Sequence, residues 1–300
     1  MSRHAVWPWW LAIAVYYVAA SLGHLEFSLW LVRQREGIFG AFAFKDFVPF
    51  VAVAAGAALA LWVGMQARRA VRPGPVLCYW AFWVLCVALF DRFLTFSANE
   101  YAHYPQYALL AWLLARAFDP DRSRLAVARV LFWATLLGMI DEVQQYVWIA
   151  PIYGEHLDFN DFVVNVLGAA AGVLIYYGFQ ARRPEADTAR SLPMAEVIVA
   201  TTLFVVVALG LQTGRVVVEP TAAVPPGGLT RDADGVMRLY LQRRPDAFGS
   251  VNAGPHRGQY RILDPVSGLA LMVGAGLVFA TLPRVLRPRS SMVREPAYRG

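Results

Sequence analysis

The residues best suited to chemistry are acidic and amide side chains that lie inside or beside long apolar runs. One group is the segment 141–145, Asp-Glu-Val-Gln-Gln, and the second is the series Asp161, Asn165, Gly168 and Gly172. Asp141 is three and four residues from Gln144 and Gln145, and the members of the second series have the same spacings, so each of these sets lies on one face of a helix. Ionisable side chains in hydrocarbon are costly unless they are paired, so both groups indicate a functional site.

The elements that must position these groups are membrane-spanning helices. The chain has 300 residues, of which 58% are hydrophobic and 16% are charged, which is not typical of a soluble domain. Apolar runs near the length of about 20 residues needed to cross a bilayer recur along it. We predict an all-α polytopic membrane protein with about eight transmembrane helices. The predicted spans are about 8–32, 48–66, 76–96, 104–118, 127–149, 162–180, 194–212 and 266–283.

The distribution of arginine predicts the orientation of these spans. Short cytoplasmic loops collect Lys and Arg, and the segments 67–75, 116–129 and 181–193 and the C-terminal tail are all Arg-rich. These Arg-rich segments alternate with segments that contain few basic residues, as an even number of helices with both termini in the cytoplasm requires. The first hairpin, with basic residues in 33–46, is the exception. The net charge of +6 therefore indicates contact with anionic lipid rather than with a nucleic acid, and the predicted location is the cytoplasmic (inner) membrane.

In this topology nearly all polar side chains of the spans fall at the outer end, and Glu196 is the exception. A cleft that opens outward would satisfy them at the lowest desolvation cost. The candidates for this cleft are Glu100, His103, Tyr107, Asp141, Glu142, Gln145, Asp161 and Asn165, with His24, Glu26, Asp91 and Arg92 as secondary candidates.

Three interpretations of these residues stay open. Glu142 and His103 are the types of residue that form an acid–base pair. The same polar groups would also tie helices together through interhelical hydrogen bonds, each contributing about 0.6–2 kcal/mol. Imidazole and carboxylates are metal ligands by type, but no closely spaced ligand motif is present, so we assign no metal. No Walker A, Rossmann or Gly-x-Ser-x-Gly motif occurs, and we expect no cofactor. Gly168 and Gly172 are expected to pack helices closely.

The segment 213–265 is expected to form a small extracytoplasmic subdomain between the last two helices. Pro-Pro-Gly-Gly at 225–228 and Asp-Gly at 234–235 predict turns, and the runs 216–218 and 236–241 are typical of strands. Two roles stay open for this segment: a lid or docking surface on the membrane part, and a passive connector. The remaining predicted divisions are helices 1–3 in 1–96, a core of helices 4–6 in 97–180, helix 7 in 181–212, and helix 8 with a basic tail in 266–300.

Three motifs follow one another within 97–180. A polar and acidic pair precedes a histidine (Asn99-Glu100-Tyr-Ala-His103), Asp-Glu-x-x-Gln follows at 141–145, and Asp-x-x-x-Asn-x-x-Gly-x-x-x-Gly begins at Asp161. In order and spacing they resemble the VanZ-like family of bacterial membrane proteins. One departure is that the family usually has Pro-Gly-Arg between the second and third motifs, where this chain has Pro151 and Gly154 but no Arg.

The resemblance implies a role in the cell envelope, because the family's namesake gives low-level resistance to the glycopeptide teicoplanin. We therefore expect an envelope protein that binds or processes a lipid-linked or amphiphilic substrate, with membrane lipid or a lipid-linked envelope intermediate as its partner. One alternative is a non-enzymatic subunit or assembly factor of a larger membrane complex, with protein partners in the membrane. A second is a proton-coupled transporter, which the apolar inner half disfavours.

Overall fold

The fold of the chain is known from a computed structural model that describes residues 6–33, 44–71, 73–122, 126–152, 154–179, 194–252 and 258–285. The described part is mostly helical. Its helices are α1 (Trp7–Arg33), α2 (Phe44–Arg69), α3 (Gly74–Phe93), α4 (His103–Phe118), α5 (Val127–Gln144), α6 (Phe159–Tyr177), α7 (Met194–Gln212), α8 (Pro265–Ala280) and α9 (Leu282–Val285). A 3₁₀ turn (Ala98–Ala102) precedes α4, and a π-helical turn (Gln145–Ile149) extends α5.

Among the described residues, four helices are long and apolar enough to cross a membrane: Pro49–Arg69 within α2, and the whole of α3, α6 and α7. This is the composition expected of a membrane protein. The predicted apolar runs correspond to α1 through α8, with shifts of a few residues at their ends. The largest shifts are at α2, which begins at Phe44 rather than near 48, and at α5, whose α-helical part ends at Gln144 and reaches the predicted end near 149 only with its π-helical turn.

Helix α6 is the centre of the bundle. It packs against α3, α4, α5 and α8, and nearly all of its residues are buried. Two glycines allow its closest approach, which is to α4. A Cβ atom on Gly168 would lie 2.8 Å from the carbonyl oxygen of His103, and one on Gly172 would overlap the carbonyl group of Ala108. The backbones of α4 and α6 therefore touch where these residues have no side chain, as the Gly-x-x-x-Gly spacing predicts.

One end of the bundle gathers three arginines of the segment 116–129. Arg116 of α4 lies with its guanidinium 4.7 Å from the ring centroid of Trp9, at the start of α1. Arg122 stacks in the same way on Tyr176 near the end of α6. Arg129 of α5 pairs with Glu196 at the start of α7, with 2.6 Å between Nε and Oε1. The starts of α1, α5 and α7 and the ends of α4 and α6 therefore share one end of the bundle.

The opposite end carries the segment between α7 and α8, which contains five short strands. They are β1 (Val216–Val217), β2 (Leu229–Arg231), β3 (Met237–Tyr240), β4 (Gly249–Asn252) and β5 (Gln259–Ile262). The first three form a sheet in the order β1-β3-β2, in which β1 is parallel and β2 antiparallel to β3, and β4 pairs with β5 in antiparallel fashion. The two runs expected to form strands contain β1 and β3.

This β subdomain (residues 213–264) is packed on the helices. The hydroxyl of Tyr146 donates to the carbonyl of Tyr240 at 2.8 Å, and the amide of Leu157 donates to the carbonyl of Leu241. Gly228 leaves room for the Tyr146 ring, which a Cβ atom at that position would overlap. These contacts favour a docked lid over a passive connector.

Several predictions fall on parts of the chain that are not described. The Arg-rich segment 181–193, the tail after 285 and the first hairpin loop at 34–43 lie outside the described residues. The side chains of His24 and Glu26 are also outside them, although the backbone of α1 passes through both positions.

The close approach of α4 and α6 gives a first prediction. Gly172→Ala is expected to lower the unfolding temperature in detergent strongly, because the new methyl group meets backbone that cannot turn aside; such overpacking costs about 1–3 kcal/mol or more. The matched control is Gly56→Ala in α2, where a Cβ atom has nothing within 4 Å. If both variants melt at the same temperature, the packing assigned to Gly172 is wrong.

Candidate functional site

The polar residues predicted from the sequence are positioned by the ends of three helices at one end of the bundle. His103 is the first residue of α4, Asp141 and Glu142 are in the last turn of α5, and Asp161 and Asn165 are in the first two turns of α6. The start of α6 is set by Asp158, whose side chain accepts hydrogen bonds from the amides of Asn160 and Asp161. Asp161 therefore does not cap the helix, and its carboxylate is available to the site.

Asn165 is the hub of this site. Its Nδ2 donates to Glu142 Oε1 at 3.1 Å, which leaves its Oδ1 as the acceptor for His103 Nδ1–H at 2.7 Å. One amide therefore links α4 and α5 through α6. It also assigns the proton of a neutral His103 to Nδ1, so that Nε2 carries the lone pair.

Asp161 lies close to the second ring nitrogen of His103. His103 Nε2 is 3.9 Å from Asp161 Oδ2, and His103 Nδ1 is 3.7 Å from Glu142 Oε1. One nitrogen of His103 and one carboxylate oxygen each of Glu142 and Asp161 all lie within 4.8 Å of one another. We call these three residues the His–Glu–Asp cluster.

Asp141 faces a different partner from its neighbour Glu142. The hydroxyl of Tyr107 donates to Asp141 Oδ2 at 2.8 Å, and the ring of Tyr107 is stacked on that of His103 with 6.0 Å between centroids. Asp141 is completely buried, and its Oδ1 has no hydrogen-bond partner among the described residues. The Tyr107–Asp141 pair thus forms a second layer beside the cluster.

The site is closed rather than an open cleft. The exposed fractions are 2% for His103, 5% for Glu142 and 1% for Asn165. Asp161 is the most accessible member of the cluster, with 15% of its side chain exposed. The positions of these residues in the sequence predict a cleft that opens outward. In the structure helix packing covers these groups, and the cluster reaches the surface through Asp161.

Other candidate residues lie near the cluster but have partners of their own. The carboxylate of Glu100 accepts hydrogen bonds from the amides of Phe96 and Ser97, which caps the 3₁₀ turn before α4. Burial raises the pKa of Glu100 to about 8, and the nearby Asp158 acts in the same direction, against the two amide hydrogen bonds. Gln145 lies in the π-helical turn, and its Nε2 is buried without a hydrogen-bond partner in the described part of the chain.

The secondary candidates at the end of α3 do not join the cluster. Asp91 accepts a hydrogen bond from the hydroxyl of Tyr101. Arg92 is exposed, and its guanidinium lies 5.3 Å from the ring centroid of Phe93.

Two residues that support the site are not evident from the sequence. Asn160 donates to the carbonyls of Leu94 and Arg261 and accepts from the amide of Leu263, so it joins α3, α6 and the β subdomain. Gly138 of α5 lies against Tyr107 and Asn165; a Cβ atom there would be 3.0–3.2 Å from both. All three partners of Asn160 are backbone groups, which carry no sequence signal. The one feature of the sequence that could have indicated a role for Asn160 is its position directly before Asp161, the first residue of the third motif.

Comparison of the chain with protein-family models, with curated proteins and with solved structures finds no match in any of the three. The resemblance to the VanZ-like family therefore stays a prediction, and the chemistry of the site is argued from its geometry. An imidazole between two carboxylates can transfer protons, bind a polar headgroup or hold a cation.

The burial of Asp141 gives a second prediction. Tyr107→Phe is expected to lower the free energy of unfolding by about 1–3 kcal/mol, because Asp141 loses its one hydrogen-bond donor in the described structure and remains buried. The control is Tyr16→Phe, which removes a hydroxyl bonded to the carbonyl of Gln106 in a less buried position. Unfolding of both variants in detergent is the measurement, and an equal loss in both would contradict the role of Tyr107.

Proposed function

We propose that the chain is a VanZ-like integral membrane protein of the bacterial cytoplasmic membrane, with eight spans, that binds or processes a lipid-linked or amphiphilic molecule at the outer face. The observation that carries the proposal is the convergence of His103, Glu142 and Asp161 from three helices into one cluster at a single end of an otherwise apolar bundle. The residues of all three motifs that suggest the family contribute to it.

The cost of burying these groups favours a functional role over helix packing alone. Interhelical hydrogen bonds contribute only about 0.6–2 kcal/mol each, and neutral amides and hydroxyls would supply them without a charge. Here three helix ends bring together the imidazole of His103 and three carboxylates, those of Asp141, Glu142 and Asp161. Among the described residues, the ion pairs of Glu142 and Asp161 involve only His103. Burial of these groups lowers the stability of the fold, and such a cost is typical of a binding or catalytic site.

The surroundings of the cluster fit an amphiphile. Apolar side chains of α3, the following turn and α4 are exposed close to it in sequence: Phe93 by 51%, Phe96 by 53% and Leu109 by 44%. In a membrane these side chains contact lipid chains. A molecule with its polar head at Asp161 and its apolar tail along α3 and α4 would satisfy both surfaces.

A non-enzymatic subunit of a larger membrane complex is the second candidate. It is favoured by α2 and α7, which are apolar but barely covered: nothing in the segment Pro49–Arg69 is buried, and Glu196 is the one buried residue of α7. Helices so weakly packed within one chain commonly pack against partner helices or lipid. A proton-coupled transporter has less support, because below Asn165 the described core of α4 and α6 is formed by side chains such as Leu110, Leu114, Val166 and Val173.

The proposed topology is tested by labelling from either side of the membrane. Asp121→Cys, in the Arg-rich turn after α4, should react only from the cytoplasm, and Glu219→Cys, in the β subdomain, only from outside. Both positions are exposed, and Cys78 and Cys86 are replaced by Ala in the parent protein. Labelling of both positions from the same side would exclude this topology.

The proposed binding function is tested by lipid retention. Native mass spectrometry of the purified protein should detect a bound amphiphile, and Asp161→Asn should reduce its occupancy several-fold because the exposed carboxylate of the cluster is neutralised. The matched control is Glu155→Gln, which alters a carboxylate at the same end that pairs with Arg244. Teicoplanin susceptibility of cells that express each variant is the second readout.

The two candidate functions predict different results in this experiment. If Asp161→Asn is well folded and retains both lipid and resistance, the cluster is not the binding site. A stable hetero-oligomer that persists in all variants would then favour the subunit interpretation.

A further inference from the structure

We propose that His103, Glu142 and Asp161 bind one divalent transition-metal cation of the Zn²⁺ type. The inference goes beyond the proposed function and does not depend on it, because a metal at this site would serve a catalytic, a binding or a purely structural role equally well. It rests on the geometry and the charge of the cluster.

The separations within the cluster fit a coordination sphere. Ligand atoms at about 2.1 Å from a tetrahedral Zn²⁺ lie about 3.4 Å from one another. His103 Nε2 and Asp161 Oδ2 are 3.9 Å apart, and one ligand atom of each of the three residues lies within 4.8 Å of the others. A bound metal would therefore draw these ligand atoms closer to one another by at most about 1.4 Å.

The hydrogen bonds behind the cluster are those that orient a metal ligand. A histidine that binds a metal through one nitrogen usually donates the other N–H to a carbonyl or carboxylate, which fixes its tautomer. His103 Nδ1–H donates to Asn165 Oδ1 at 2.7 Å, so the lone pair is on Nε2, the nitrogen that is turned toward Asp161. Asn165 also donates to Glu142 Oε1 and thereby holds two of the three proposed ligands in place.

The charge of the site is a second and independent argument. Glu142 and Asp161 are close to each other and to the buried Asp141, and two neighbouring carboxylates in a low dielectric repel each other. The described residues place no Lys or Arg side chain in an ion pair with any of these three carboxylates. Asp161 Oδ1 and Asp141 Oδ1 are both buried without a hydrogen-bond partner in that part of the chain. A cation of charge +2 would neutralise the two proposed carboxylate ligands and give Asp161 Oδ1 a partner.

The ligand set favours a transition metal over Mg²⁺ or Ca²⁺. Imidazole suits Zn²⁺, whereas Mg²⁺ and Ca²⁺ prefer a shell made of oxygen ligands. Three protein ligands leave a fourth position for water or for an oxygen of a headgroup, which is the arrangement of catalytic rather than structural zinc sites. Asp161, the most exposed ligand, would lie beside that fourth position.

The test is a Zn²⁺ titration of the purified full-length protein in detergent, after removal of metal with a chelator and in competition with a chromophoric zinc indicator. The wild type should bind one equivalent, and millimolar Mg²⁺ should not displace it. Glu142→Gln and Asp161→Asn should each weaken binding by about tenfold or more, since each removes a charged ligand. The matched controls are Glu155→Gln and His156→Gln, a carboxylate and an imidazole outside the cluster, which should bind Zn²⁺ as the wild type does.

A second measurement covers variants that fail to fold. X-ray absorption of the zinc-loaded wild type should show one imidazole among nitrogen and oxygen ligands at about 2.0–2.1 Å. Absence of stoichiometric Zn²⁺ in the wild type, a spectrum without imidazole, or unchanged binding in both folded ligand variants would each overturn the proposal. Lipid retention measured with and without chelator separates this result from the proposed function, because lost lipid retention with intact Zn²⁺ binding would contradict only the latter.

Discussion

The contact between the backbones of α4 and α6 is the constraint on which the other features depend. At Gly168 the main chain of α6 lies against the carbonyl oxygen of His103, and at Gly172 it lies against Ala108. The same approach brings the His103 ring within hydrogen-bond distance of Asn165, one turn before Gly168. The same contact therefore packs the two helices and forms the site. The glycines that let α4 and α6 touch also determine where the imidazole of His103 meets the amide of Asn165. A wider separation of these helices would break the link from α4 through Asn165 to Glu142.

The β subdomain extends this arrangement to the surface. Asn160 fixes its last strand and the end of α3 to the first turn of α6, and Tyr146 fixes the central strand β3 to the π-helical turn of α5. Both anchors are within a few residues of the cluster, Asn160 beside Asp161 and Tyr146 one turn after Glu142. Movement of the subdomain would therefore be transmitted to the helix ends that carry the site. This connection gives a segment without a large core of its own a definite place in the fold.

The two ends of the bundle differ in how their charged groups are compensated. At one end arginines stack on Trp9 and Tyr176, and the buried carboxylate of Glu196 is paired with the partly exposed Arg129. At the other end the carboxylates are buried, and hydrogen bonds from an amide and a hydroxyl compensate them only in part. The buried carboxylate at the first end has an arginine as its partner, whereas Asp141, Glu142 and Asp161 at the second end have no Lys or Arg partner among the described residues. This difference in the compensation of carboxylate charge is the physical reason to expect a ligand at the second end.

The sequence by itself determined the helices and the faces within them. Hydrophobic runs of sufficient length allow few alternatives, and helical periodicity requires that Asp161, Asn165, Gly168 and Gly172 share a face. Which helices meet was decided only by the tertiary structure. Adjacent residues on α5 point to different neighbours, so Asp141 bonds to Tyr107 and Glu142 to Asn165. Glu100, grouped with them by sequence, caps a local turn instead. The closure of the site and the role of Asn160 depend on contacts with backbone far away in the chain, and periodicity within one helix contains no information about such contacts.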